Sequence, residues 1–238
     1  MPSINILILS AASRSPVNHE DTYPTCLMEE NGSSLLEKII IKTSNIKEAN
    51  YTYAFLESDI KKFHLDKISN LLTPNRECIK ISDGCQGALC TALYSACQIN
   101  QDAELLIISA NEILDIDYKD FIDDFRKRKL DAGTVTFKSV HPHYSYVRLD
   151  GEMVVEAAQR KPISQDATAG IFWFKSTKVF IKSSMNQILK GASTDGLYFI
   201  APCFNELILD QLKIGTYKVD NNLYSPYKQK PIFTVMEK

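Results

Sequence analysis

The chain has 238 residues, of which 45% are hydrophobic and 24% charged, and a formal net charge of −2. These values fit a globular fold long enough to bury a sizeable core. They argue against non-specific attraction to nucleic acid or to an anionic membrane.

Strand and helix alternate through the first half. INILIL (4–9) is a short apolar run of the kind buried on both faces of a parallel sheet. A long loop runs from Ser10 to about Ser33. SSLLEKIIIKT then sets Leu35, Leu36, Ile39 and Ile40 on one helical face behind a Ser33 or Ser34 cap. YTYAFL (51–56) is the second strand, DKISNLL a short helix ended by Pro74, and CIKIS (78–82) the third strand. GALCTALYSACQI (87–99) is a helix with Ala88, Leu89, Ala92, Leu93 and Ala96 inward. ELLIIS (104–109) is the fourth strand. After a polar loop, YKDFIDDFRKRKL is a helix carrying a stripe of Phe121, Ile122 and Phe125.

From there the character changes. GTVTFKS, YSYVRLD, MVVEAAQR and GIFWFKS are strands rich in β-branched and aromatic residues. Asp150-Gly151 between the second and third marks a hairpin. Helices around 177–190 and 201–212 and a last strand IGTYKV (214–219) complete the pattern. The expectation is a single α/β domain over residues 1–238, with a mixed, mainly parallel central sheet and an antiparallel extension.

Six cysteines, at 26, 78, 85, 90, 97 and 203, form no CxxC pair, and no His stands at zinc-ligand spacing. They read as free thiols of a reducing, cytoplasmic compartment, with Cys90 and Cys97 buried on one helix face. The opening MPSINILILSAA lacks a basic region followed by a long apolar one, so no signal peptide is expected. No apolar run reaches the roughly 18 residues of a membrane-spanning helix.

Ligands of such folds bind where the parallel strands end. The loop LSAASRS after the first strand can offer backbone N–H groups to a phosphate through Ala11, Ala12 and Ser13. Arg14 can fork onto the same phosphate; these residues equally suit a surface loop. In SDGCQGALCTA, Gln86 between Gly84 and Gly87 can read a base edge, or the glycines simply admit the chain to a helix. In NEILDID, Asp117 is a natural helix cap, while Asp115 and Asp117 also match the acid-x-acid pattern of metal-dependent glycosyltransferases. Asn111 and Glu112 lie nearer the strand end. Glu112 can supply a hard oxygen to Mg²⁺, and neutral Asn111 can coordinate or bond a ribose or sugar hydroxyl. Glu156, Arg160 and Lys161 precede Pro162, and Gly170 opens the next strand; an Arg-Lys pair suits a phosphorylated substrate, or is ordinary solvated charge. No serine has a nucleophile-elbow context and Cys203 has no nearby His, so neither a triad nor a thiol mechanism is expected. Tyr144, Tyr146 and Trp173 read as packing.

Taken in order and spacing, these segments resemble the sugar-phosphate nucleotidylyltransferases, which have a Rossmann-like, glycosyltransferase-A-type domain. LSAASRS is similar to the family's Gly-rich, Arg-ending signature, YPTCLMEENGSSLLEKI to its Pro-Lys-Pro segment, and GCQGALCTAL to its base-reading loop. LLIISANEILDID is similar to the strand that ends in its metal-binding Asp. YSYVRLDGEMVVEAAQRKPIS with TAGIFWF is similar to its sugar-binding hairpin, and GLYFIAPCFNELI to a late segment of small members from capsule and lipopolysaccharide loci.

The resemblance implies a nucleotide-binding half (1–130) and an acceptor-binding half (131–238). It implies an NTP or nucleotide sugar and a phosphorylated small-molecule acceptor as partners, with neither nucleic acid nor an integral membrane segment. It also implies catalytic roles for Arg14 and Lys161, nucleotide contacts at Ala11–Arg14, Gln86 and Gly87, and substrate contacts at Asn111, Glu156, Lys161 and Gly170. Magnesium would sit at Glu112 and, from the late strand, Asp220. The departures fall on the chemistry. Ala11, Ala12 and Ser13 replace the loop glycines, Thr25 stands at the activating lysine, Asn111 at the metal Asp, and Arg160-Lys161 at the Glu-Lys pair. Three activities fit: a divergent nucleotidyltransferase for surface-polysaccharide precursors, a nucleotide- or nucleotide-sugar-binding protein without turnover, and a metal-dependent glycosyltransferase.

Overall fold

The computed structural model describes residues 3–11 and 23–226. In chain order the elements are β1 (Ile4–Ser10), β2 (Glu29–Glu30), β3 (Ser33–Ser34), α1 (Leu35–Thr43), β4 (Ala49–Leu56), α2 (Glu57–Phe63), α3 (Leu65–Leu72), β5 (Glu77–Ile81), α4 (Ala88–Ala96), β6 (Glu104–Ser109) and β7 (Glu112–Leu114). There follow α5 (Tyr118–Lys127), β8 (Ala132–Lys138), β9 (Ser145–Asp150), β10 (Met153–Gln159), β11 (Asp166–Phe174), α6 (Thr177–Leu189), α7 (Cys203–Leu209), β12 (Ile214–Lys218) and β13 (Tyr224–Pro226).

Among the described residues, nine strands form one sheet in the order β5-β4-β1-β6-β11-β8-β12-β10-β9. β5, β4, β1 and β6 run parallel. β11 enters antiparallel between β6 and β8, which puts its start at the carboxyl end of β6. The expected mixed α/β architecture is therefore the one present.

The apolar strands explain the layering. Side chains alternate across a strand, so Ile4, Ile6 and Ile8 enter one apolar cluster while Leu7 and Leu9 enter the other. β6 divides likewise: Leu106 and Ile108 join the first cluster, Leu105 and Ile107 the second. α1 and α5 cover the first face with Leu36, Ile39, Phe121, Ile122 and Phe125. α4, α6 and α7 cover the second with Leu89, Ala92, Phe180 and Phe204. Each helix thus turns its apolar stripe to the sheet, as its 3.6-residue period requires.

Local signals set several boundaries. Ser34 caps α1 in a capping box: its hydroxyl accepts from the Glu37 N–H, and Glu37 accepts from the Ser34 N–H at 2.7 Å. At the amino end of β6, buried Glu104 accepts from Arg126 through both oxygens, and from the Trp173 ring N–H at 3.2 Å. A carboxylate so placed is tolerated because both oxygens accept hydrogen bonds and a guanidinium pairs its charge.

Some details differ from the sequence expectations. α2 precedes α3, and the two are separated by His64 in the left-handed conformation (φ 54°). The second helix of the late pair covers only Cys203–Leu209. The polar loop after β6 contains β7, which pairs with β13, a strand beyond the last one expected. Cys97 is exposed and Cys90 partly so, because both lie off the face of α4 that Leu89 and Ala92 bury. Among the described residues, no helix is long and apolar enough to cross a membrane.

Candidate functional site

The carboxyl ends of β5, β4, β1 and β6 share one edge of the sheet. Leu9 pairs with Ser109, Ser10 with Phe55, and Leu56 with Ile81. The Ala110 N–H donates to the Leu9 carbonyl at 2.9 Å, so the turn after β6 begins against the end of β1. With neighbouring strands about 4.8 Å apart, the edge from β5 to β6 spans about 14 Å.

At the β5 end, the chain turns through Ser82–Gly87 into α4. The Cys85 N–H closes the turn on the Ser82 carbonyl at 3.1 Å. Gly87 has φ +101°, a conformation open to glycine. The Tyr198 backbone grips this turn twice: its N–H donates to the Gln86 carbonyl at 3.0 Å, and its carbonyl accepts from the Leu89 N–H at 3.1 Å. The Gln86 side chain is exposed, with no hydrogen-bond partner among the described residues, so both its donor and its acceptor face outward.

At the β1 end, Ala11 borders the same apolar cluster as Cys85 and Tyr198. Ala12, Ser13 and Arg14 lie outside the described residues. Thr25, at the expected lysine position, starts a short 3₁₀ helix whose Cys26 is fully buried.

At the β6 end, Asn111 is exposed and Glu112 turns inward. The Tyr224 hydroxyl donates to Glu112 Oε2 at 2.9 Å. A Cβ on Gly170 (φ +65°) would stand 2.8 Å from the same oxygen, so the carboxyl occupies the space a side chain there would need. Tyr224 is itself held by the Phe137 ring, stacked at 3.9 Å, and by Tyr144 at 6.0 Å, edge on. Loss of water around Glu112 pushes its pKa up to about 7, against which the Tyr224 hydrogen bond works. The same desolvation, and the neighbouring carboxyl, raise Tyr224.

The other expected residues are placed as follows. Asp117 caps α5, accepting from the Lys119 N–H at 2.9 Å, and also accepts from Asn45 at 2.7 Å. Asp115 pairs with Lys42 of α1, which holds its carboxyl below the usual range. The two acids of DID are therefore spent on a helix cap and an ion pair. Glu156 pairs with Arg148 of β9 at 2.9 Å. Arg160 pairs with Asp195 at 2.8 Å and lies over the Phe199 ring at 5.6 Å. Lys161 is exposed and forms no ion pair with any described residue. Asp220 is exposed at the start of the 3₁₀ turn Asn221–Leu223.

The structure thus brings Glu112 against Gly170, and Gln86-Gly87 against Tyr198. Of the two magnesium ligands expected, Glu112 is engaged by Tyr224 and Asp220 stands exposed before the Asn221–Leu223 turn. Among the described residues, no three His, Cys, Asp or Glu side chains are grouped for a metal. At the β6 turn Asn111 offers a neutral amide oxygen, and one of the two Glu112 oxygens is already held by the Tyr224 phenol. Sequence reasoning missed Tyr198, whose contribution is all backbone, and Tyr224, which stands in a three-residue strand too short to carry a period.

Three comparisons bear on this site. The family model described as Nucleotidyl transferase matches residues 26–206. Among solved structures, a nucleoside-diphosphate-sugar pyrophosphorylase from Vibrio cholerae RC9 aligns at 14% identity over 92% of this chain and 93% of that one, with a TM-score of 0.76. An inositol-1-phosphate CTP transferase from T. maritima aligns at 12% identity over 95% and 89% of the two chains, with a TM-score of 0.69. No curated protein matches in sequence.

Proposed function

The chain belongs to the nucleotidyl transferase family, and on that premise we propose that it transfers a nucleotidyl group from an NTP to a sugar phosphate, or a similar phosphorylated precursor of a surface polysaccharide. One observation carries the reading: the carboxyl ends of β1, β5 and β6 share a single edge, and the β5 turn is fixed by Tyr198 with the Gln86 side chain left free. In this reading Gln86 and Gly87 receive the base. The turn of Ala11, Ala12, Ser13 and Arg14 receives the phosphates. Asn111, Glu156, Lys161 and Gly170 form the acceptor side.

In the reaction, an acceptor phosphate oxygen attacks the α-phosphorus. A new P–O bond forms, the bond to the β-phosphate bridging oxygen breaks, and its electron pair leaves with pyrophosphate. Catalysis of this kind is mostly alignment and neutralisation of phosphate charge. Arg14 and Lys161 are the cations proposed for that work. The six free thiols fit the reducing cytoplasm in which NTPs are available.

The test is pyrophosphate release, with each NTP crossed against a panel of sugar phosphates in buffer containing a divalent cation. Release with at least one pair is expected, and Arg14→Ala should lower it by about a hundredfold or more. A folded protein silent across the whole panel would refute transfer.

A second reading, binding without turnover, is favoured by Thr25 at the lysine position and by the Glu112 oxygen already engaged with Tyr224. It predicts that a nucleotide or nucleotide sugar raises the melting temperature while no pyrophosphate appears. In that case Thr25→Lys with Asn111→Asp should create activity.

A further inference from the structure

Arg160, one residue past β10, holds both ends of the segment that grips the β5 turn. Its guanidinium pairs with Asp195 at 2.8 Å and lies over the Phe199 ring at 5.6 Å. Between these two stands Tyr198, whose N–H and carbonyl bond the Gln86 carbonyl and the Leu89 N–H. Arg160 is anchored in turn, its N–H donating to the Tyr144 carbonyl at 3.0 Å. The gripping segment is stiff. Thr194 and Leu197 exchange two backbone bonds, at 2.9 and 3.0 Å, around Asp195 (φ +51°) and Gly196 (φ +75°). That is a two-residue hairpin turn with a positive φ at both central positions. The Phe199 carbonyl accepts from the buried Gln187 of α6 at 3.2 Å.

We propose that Arg160 is a positioning residue: through Asp195, Phe199 and Tyr198 it holds the Gln86–Gly87 turn at a fixed distance from Lys161, its neighbour in the chain. This rests on the reading of Gln86 and Gly87 as the nucleotide turn and of Lys161 as the acceptor's cation. Arg160 acts through the segment and touches no ligand itself. The residue type suits the task. A guanidinium can give N–H groups to a carboxylate while its planar face lies on an aromatic ring. A fixed separation matters because transfer between two bound phosphates depends on their alignment. The side chains of Arg160 and Asp195 are 45% and 72% exposed. Water therefore screens the pair, and its effect is modest.

The experiment has two arms, both on the full chain. In the first, amide hydrogen exchange is followed at Tyr198 and Leu89, the two donors of the grip, with Ile107 of β6 as control. Wild type is compared with Arg160→Met, Arg160→Lys, Asp195→Ala and the double variant of Arg160→Met with Asp195→Ala. In the second arm, each NTP is titrated into the same proteins in buffer containing magnesium chloride.

Exchange at Tyr198 and Leu89 should quicken by about three- to tenfold in Arg160→Met and Asp195→Ala, with Ile107 unchanged. NTP affinity should fall by about the same factor. Arg160→Lys keeps the charge without the stacked plane and should lie between wild type and Arg160→Met. The double variant should lose little more than Arg160→Met, because the two residues act through one contact. Unchanged exchange at both amides overturns the proposal, whatever the NTP arm gives. So does faster exchange with NTP affinity intact, which marks a merely structural tie, or single losses that add in full in the double variant. Wild type and variants that bind NTP alike overturn this inference alone. Wild type that binds no NTP overturns the reading of the Gln86 turn, and this inference falls with it.

Discussion

A Cβ placed on Gly87 would lie 2.4 Å from the carbonyl oxygen of Tyr198, closer than any real side chain tolerates. The glycine is what lets the segment before α7 hydrogen-bond across the entrance of α4. Gly87→Ala must move backbone, and its φ of +101° adds strain whatever space is made. A loss of about 2–4 kcal/mol is expected, which for a chain of this size lowers the melting temperature by several degrees. Nucleotide affinity should fall as well, because the Gln86 turn is the part displaced. Thermal unfolding with and without each NTP checks both; a variant with wild-type stability would show that the Tyr198 grip is loose.

The raised pKa of Glu112 has a sign in the stability of the fold. Its carboxyl titrates near 4.5 when unfolded and at about 7 when folded. Between those values the folded state holds the extra proton, so stability falls as pH rises from 4.5 to 7 and is level above. A displacement of that size corresponds to at most about 3 kcal/mol. Glu112→Gln removes the titration and keeps the oxygen for Tyr224. Urea unfolding at pH 5 and pH 8 should show the variant gaining on wild type at the higher pH. An unchanged difference between the two would mean the carboxyl is solvated.

Much of this arrangement was legible in the sequence, for physical reasons. INILIL and ELLIIS are apolar on both faces, and only a covered sheet buries both. A serine cap at Ser33 or Ser34 was readable and falls to Ser34, and Asp117 caps α5 as read. Less visible was whatever depends on distant partners. The break at His64 needs a left-handed residue that no glycine announces. The β7–β13 ladder is three residues long and joins segments about half the chain apart. Tyr198 acts through main-chain atoms, so its identity carries no signal. Asn111–Glu112 was recognisable as the turn that ends a parallel strand, but that Glu112 is held by Tyr224 was not.

Glu104 and Arg126 offer a test at the opposite end of β6. Arg126 covers a buried carboxylate with three contacts of 2.7–3.1 Å. Arg126→Met leaves that carboxylate with the Trp173 N–H alone. Removing one partner of a buried pair costs about 3–5 kcal/mol, chiefly through the charge left behind. Arg126→Met with Glu104→Gln should recover much of the loss. Denaturant midpoints of the three variants check this, and nucleotide binding well below the melting range should stay as in wild type. Equal losses in the single and double variants would contradict the account.

Asp117→Ala separates the cap from the acid-x-acid reading. In the fold, Asp117 accepts the Lys119 N–H at 2.9 Å and the Asn45 amide at 2.7 Å. Both contacts support the start of α5. Losing an N-cap carboxylate costs about 1 kcal/mol, so the melting temperature should drop by about 2–4 °C. Asp117→Asn keeps an oxygen acceptor and should recover most of it, since Asn caps about as well as Asp. Binding of nucleotide, nucleotide sugar and Mn²⁺ should match wild type in both variants. A metal-dependent glycosyltransferase site would give the reverse pattern. Stability would change little, Mn²⁺ and nucleotide-sugar binding would fall together, and Asn would not restore them because the anion itself would be the ligand.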